Sequence, residues 1–192
     1  MSFRQQLLQW VYPAIMHTGK LFGVKNTIQV NTKAHKPSKS VYDYDITLND
    51  GSKISMNIFK GKKVLVVNTA SDCGYTAQYE SLQQLYEEKV VVIAFPANDF
   101  KQQESAENAA IAEFCKKNYG VSFPLAKKTV VVKGVNQEPL FQWLTDSALN
   151  GWCHQEPEWN FSKYLIDENG LLTHYFPAGI SPLDKQVIQA IQ

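Results

Sequence analysis

The chain has few thiols, no long apolar run and almost no net charge, and each shortage excludes something. Its three cysteines, Cys73, Cys115 and Cys153, are too few and too odd in number for the disulfide framework of a small secreted domain, and they suit the reducing cytoplasm or a redox cycle. The histidines form no ligand spacing, and the Cys153-His154 pair is weak evidence for a metal, so neither a metal nor a cofactor is expected. Neither a phosphate-binding glycine loop nor a dinucleotide fingerprint occurs, which argues against nucleotide use. The most apolar leader segment, Leu7 to Phe22, is broken by Gln9, Pro13, His17, Thr18, Gly19 and Lys20. It falls short of the roughly 20 residues that a bilayer span needs. No small-x-small cleavage site ends it, so a secretory signal is not expected. Internal repeats and low-complexity tracts are absent.

The formal charge of +1 hides an asymmetry: residues 1–40 carry six Lys or Arg and no acid, leaving a net −5 for the rest. The body lacks basic patches interleaved with aromatics, which excludes a nucleic-acid reader. Leu7, Leu8, Val11, Ala14 and Ile15 can share one helical face, with Trp10 and Tyr12 as amphipathic rings and Arg4 and Lys20 near the ends. That permits a peripheral membrane contact through residues 1–22. Pro13 weakens the helix and favours the alternatives, packing on the protein's own body or an unstructured leader. Asn31 to Ser40, rich in Lys, Ser, Thr and Pro, reads as a linker. The expected division is a basic extension and linker over 1–40 and one domain over 41–192.

Val41 to Thr47 alternates roughly with period two and meets Asn49-Asp50-Gly51, a hairpin signal, before Lys53 to Asn57. Val64-Leu65-Val66-Val67 is continuously apolar, as in a central strand covered on both faces. From Thr76 the spacing turns helical, with Tyr79, Leu82, Leu85 and Tyr86 inward and Gln83, Gln84, Glu87 and Glu88 largely outward. Val90 to Phe95 returns to strand, so strand, helix and strand make a parallel crossover and the body is α/β. A second helix starts at Ser105 or Asn108 and stops near Gly120. Pro139 to Leu144 suggests another. Asn160 to Asp167 and Leu171 to Phe176 read as a hairpin closed by Glu168-Asn169-Gly170. Ser181-Pro182 with Asp184 starts a final helix, the serine capping and the acid in the first turn.

Cys73 follows the buried strand and precedes a helix, at the carboxyl edge of the sheet where α/β proteins bind ligands. A nearby helix N-terminus stabilises thiolate, whereas the adjacent Asp72 opposes it. Val67 to Tyr79, with Ser71-Asp72-Cys73-Gly74-Tyr75 at its centre, resembles the active-site segment of glutathione peroxidases, with cysteine where many relatives carry selenocysteine. Phe95-Pro96-Ala97-Asn98-Asp99-Phe100 with Gln103-Glu104 resembles that family's second motif. Trp159-Asn160-Phe161-Ser162-Lys163-Tyr164-Leu165 resembles its third. Three motifs in order cover about residues 41–190.

The resemblance implies a thioredoxin-like fold: a central mixed sheet flanked by helices, with an N-terminal hairpin. It also implies a peroxidatic Cys73 assisted by Gln103, Trp159 and Asn160. Amide and indole donors aimed at one sulfur stabilise thiolate without a histidine base. Cys115 matches the resolving position of the thioredoxin-using branch, which implies a Cys73–Cys115 disulfide recycled by thioredoxin, with glutathione as the alternative donor. A disulfide needs α-carbons within about 7 Å, so the helix holding Cys115 is expected to unwind. The short stretch between Trp143 and Trp159 lacks the insertion of oligomeric relatives and implies a monomer. Departures are Ala97 for a frequent cysteine, Asp99 for glutamine, Lys101 for glycine and Asp72 for lysine. Cys153 has no counterpart and is read as non-catalytic. A redox relay passing its disulfide to a partner protein is the rival function.

Overall fold

The computed structural model describes residues 3, 5–7, 10–12, 27–88 and 90–192. Leu8, Ala14, Ile15 and the rest of 13–26, on which part of the leader reading falls, lie outside the described residues. The strand β4, Val64–Thr69, is buried at every position because its two faces serve two cores. Leu65 and Val67 face one apolar cluster and Val64 and Val66 the other. The continuous apolar run in the sequence has this cause.

Among the described residues, seven strands form two sheets. β1 (Gln29–Val30), β4, β5 (Val91–Pro96), β6 (Lys163–Ile166) and β7 (Leu172–Phe176) form the larger one, in the order β1-β7-β6-β4-β5. β4 and β5 are parallel, with Val64 opposite Val91, while β4–β6, β6–β7 and β1–β7 are antiparallel. β2 (Asp45–Thr47) and β3 (Lys53–Ser55) make the expected hairpin, trimmed at both ends by 3₁₀ turns at Val41–Asp43 and Met56–Phe59.

Helices α1 (Gln78–Glu88), α2 (Asn108–Tyr119) and α5 (Lys185–Ile191) contribute Leu82, Ile111 and Val187 to one cluster. Helix α3 (Pro139–Thr145) contributes Phe141, Trp143 and Leu144 to the other, and the short α4 (Ser147–Asn150) follows it. α2 ends at Gly120, whose φ of 65° supplies the left-handed stop.

Three expectations need correction. Gln83 is buried, not outward, because its amide donates to the Ser122 hydroxyl at 2.8 Å and its carbonyl accepts the Ser122 N–H at 2.9 Å. The final helix is capped by Asp184, which accepts the Gln186 N–H at 2.9 Å, whereas Ser181 serves the preceding turn through the Leu183 N–H. Residues 31–40 are no free tether. Asn31 N–H donates to Thr173 O, Ser38 N–H to Leu149 O, and the Trp143 indole to Lys39 O at 2.7 Å. The division at residue 40 is one of composition rather than packing, since polar side chains leave the backbone free to bond.

Candidate active site

The loop after β4 brings Cys73 under the helices with no exposed surface. Thr76 folds this loop on itself: its hydroxyl accepts the Cys73 N–H at 3.1 Å and lies 2.9 and 2.8 Å from the Ala70 and Cys73 carbonyls. The chain then turns so that the Tyr75 N–H donates to Cys73 Sγ at 3.4 Å. α1 begins only at Gln78, five residues on, so the nearest donor is this turn amide rather than a helix terminus. Burial pushes the Cys73 thiol above its ordinary pKa, and the Tyr75 amide, the Trp159 indole and the Asn160 side chain pull it back without cancelling the rise. The sequence expectation of thiolate favoured by position is corrected accordingly: in the resting site desolvation outweighs the donors.

Trp159 and Asn160 reach the sulfur because Asn68, buried in β4, clamps their loop. Its amide donates to Trp159 O at 3.1 Å, its side-chain carbonyl accepts the Ser162 N–H at 3.0 Å, and its backbone carbonyl accepts the Phe161 N–H. Phe161 takes a φ of 71° in this turn. Lys163, wholly buried, donates to Phe161 O and Ile180 O at 2.7 Å each, and burial holds its pKa well below the ordinary lysine value.

Gln103 stands one step back. Its side-chain carbonyl accepts the Asn160 amide at 3.0 Å, and its backbone carbonyl accepts the Asp72 N–H at 3.0 Å. It orients Asn160 and pins the Cys73 loop. Glu104, beside it, is buried and accepts the Ser71 hydroxyl at 3.0 Å, and its other oxygen has no partner among the described residues.

Lys101, where the family pattern favours glycine, has a φ of 51° and Gln102 one of 53°. The Lys101 ammonium lies 5.6 Å over the Trp159 ring. Asp99 accepts the Val131 N–H at 2.8 Å, and Ala97 is core.

Cys115 is buried in α2, in the same apolar cluster as Cys73, and both are free thiols. Desolvation, with Glu104 adding to it and Tyr79 opposing, raises Cys115 to about 12. Cys153 is buried in the opposite cluster, raised to about 11 by desolvation. No group of three or more His, Cys, Asp or Glu among the described residues forms a metal site. Missed by sequence reasoning were the Tyr75 amide, the Asn68 clamp and the buried state of Glu104. The one available signal was Asn68 itself, a polar residue at the end of an apolar strand.

A cleft of about 290 Å³ opens beside the sulfur's donors, lined by Tyr75, Glu158, Trp159, Pro177, Ala178 and Gly179. A thiol at a strand end, met by an indole and an amide and flanked by a small cleft, defines the class of thiol-dependent redox enzymes. The glutathione peroxidase family profile matches residues 41–145. The glutathione peroxidase homolog BsaA of Staphylococcus epidermidis is 44% identical over 136 residues, covering 69% of this chain and 85% of that protein. The glutathione peroxidase of Lactococcus lactis subsp. cremoris is 41% identical over 145 residues, covering 73% and 91%. The crystal structure of T. cruzi GPX1 superposes with a TM-score of 0.58 at 29% identity, covering 79% of this chain and 93% of that one. The chain belongs to the glutathione peroxidase family, has its thioredoxin-like fold, and is a peroxidase.

Proposed function

We propose that the chain reduces hydrogen peroxide and organic hydroperoxides through a sulfenic acid on Cys73, resolved by Cys115 and recycled by thioredoxin. The observation that carries this reading is the convergence of the Tyr75 amide, Trp159 and Asn160 on one buried sulfur. The Cys73 thiolate attacks one peroxide oxygen, the O–O bond breaks, and the departing oxygen takes a proton and leaves as water or alcohol. The donors stabilise charge as it moves from sulfur to the departing oxygen. Gln103 acts through Asn160, holding its amide in register.

The Cys115 thiol then attacks the sulfenic sulfur, expelling water and forming the Cys73–Cys115 disulfide. Thioredoxin's dithiol reduces that bond and becomes oxidised. The shared cluster of the two thiols supports their pairing, and because Cys115 is wholly buried in α2 the reading includes an opening of that helix to deliver it. We read the enzyme as a cytoplasmic monomer.

The experiment is NADPH-coupled turnover with thioredoxin or with glutathione, on wild type, Cys73→Ser and Cys115→Ser. Loss of all turnover in Cys73→Ser and of thioredoxin-supported turnover in Cys115→Ser is expected. Glutathione-driven turnover indifferent to Cys115 would overturn the donor assignment. Single-cycle peroxide consumption without repeated turnover in the thioredoxin system would favour the relay instead.

A further inference from the structure

We propose that the N-terminal helix docks this enzyme on an anionic lipid surface by an outward apolar stripe, while its inward side grips the catalytic loop. Residues 5–7 and 10–12 are helical. At about 100° per residue, Phe3, Leu7 and Trp10 fall within about 60° of one another. All three are exposed, Phe3 and Trp10 to 82% and Leu7 to 48%.

Gln5 and Tyr12 fall about 180° away on the same wheel, and both touch the site. The Gln5 amide donates to Ser71 O at 3.4 Å, and the Tyr12 ring meets Tyr75 edge-on at 6.5 Å between centroids. Among the described residues, Gln5 and Tyr12 thus face the protein while Phe3, Leu7 and Trp10 face out.

Lipid is favoured over a second copy by charge. Six Lys or Arg and no acid lie in the sequence of residues 1–40, so two copies meeting through this N-terminal segment would bring net positive charge together, whereas an anionic surface attracts the segment as a whole. A Trp and a Phe at the rim of an apolar stripe suit the headgroup boundary. No described helix is long and apolar enough to cross a bilayer, so the contact is interfacial. Because a helix with its side chains is about 10–12 Å across, docking brings the Ser71–Tyr75 loop to within roughly one helix diameter of the lipid.

The test is co-sedimentation of the full chain with phosphatidylglycerol-rich and with pure phosphatidylcholine vesicles, at low and high salt. Wild type is expected to pellet with the anionic vesicles at low salt. Combining Phe3→Ser, Leu7→Ser and Trp10→Ser should weaken binding by at least about tenfold. Turnover of a soluble peroxide without vesicles should be unchanged, which shows that the variant is folded. Equal binding to both vesicle types, no binding at all, or binding indifferent to the triple substitution would overturn the proposal. So would a concentration-dependent dimer of the wild type that the triple variant abolishes, since the stripe would then be covered by a second copy.

Discussion

Glu104 offers a quantitative handle on the site. The side chain is 1% exposed, one oxygen accepts the Ser71 hydroxyl, and the other has no partner among the described residues. Desolvation, reinforced by Asp72 and opposed by Ser71 and Lys128, raises its carboxyl from 4.5 to about 7. Between those values the native state holds a proton that the unfolded chain has released. The contribution is therefore fully present below about 4.5 and is lost as pH rises through about 7. At about 1.4 kcal/mol per pKa unit, the loss amounts to about 3 kcal/mol. Glu104→Gln keeps the shape and removes the titration. Urea unfolding of the reduced protein at about pH 5 and about pH 8 measures the effect. Relative to the variant, wild type should lose about 2.5 kcal/mol between the two, since at about pH 5 part of the loss has already occurred. An equal wild type to variant difference at both pH values would refute the reasoning, for the carboxyl would then titrate alike in both states.

Asn160→Ala removes one donor to a developing charge, worth about 1.5–3 kcal/mol, so the rate of Cys73 oxidation by peroxide should fall by about ten- to a hundredfold in stopped-flow fluorescence. Lys101→Gly relieves left-handed strain of about 1–2 kcal/mol and gives up an exposed cation–π contact of about 0.5–1 kcal/mol. Tm should rise by about 1–3 °C. Lys101→Ala, which loses the ring contact and keeps the strain, should lower it. If α2 opens to deliver Cys115, amide exchange over residues 108–119 should rise after one equivalent of peroxide in wild type and not in Cys115→Ser. Unchanged exchange alongside a mapped Cys73–Cys115 disulfide would refute the opening.

The parts of this structure legible in the sequence are those where local chemistry and tertiary demand agree. The unbroken Val64–Val67 run needs two covered faces and has them, and Gly120 stops α2 because no side chain opposes its left-handed φ. The third motif's Trp159 and Asn160 lie within hydrogen-bonding reach of Cys73. What stayed hidden depends on distance or on which atom of a side chain wins. Gln103 and Asn160 are both amides, and nothing in their spacing says that one reaches the sulfur while the other holds its neighbour. Glu104 belongs to a residue type that is usually exposed, and Gln83 looked outward by helical phase until a distant serine satisfied its amide. The linker reading of Asn31 to Ser40 failed for a related reason, since lysines and prolines describe what side chains prefer and say nothing of backbone pairing.

The pinned segment before residue 41 has a consequence for where the chain can be cut. The family match begins at residue 41, which makes that position an inviting start for a shortened protein. A fragment starting there would lose β1, leaving the outer edge of β7 with open amides and carbonyls, and would strip the Trp143 indole of its acceptor on Lys39. Unpaired edges recruit other edges, and a buried donor without an acceptor costs about 1–3 kcal/mol. A fragment starting at residue 27 keeps both features. The fourteen residues between these two cuts, which look like spacer, are the sheet's own fence against its neighbours.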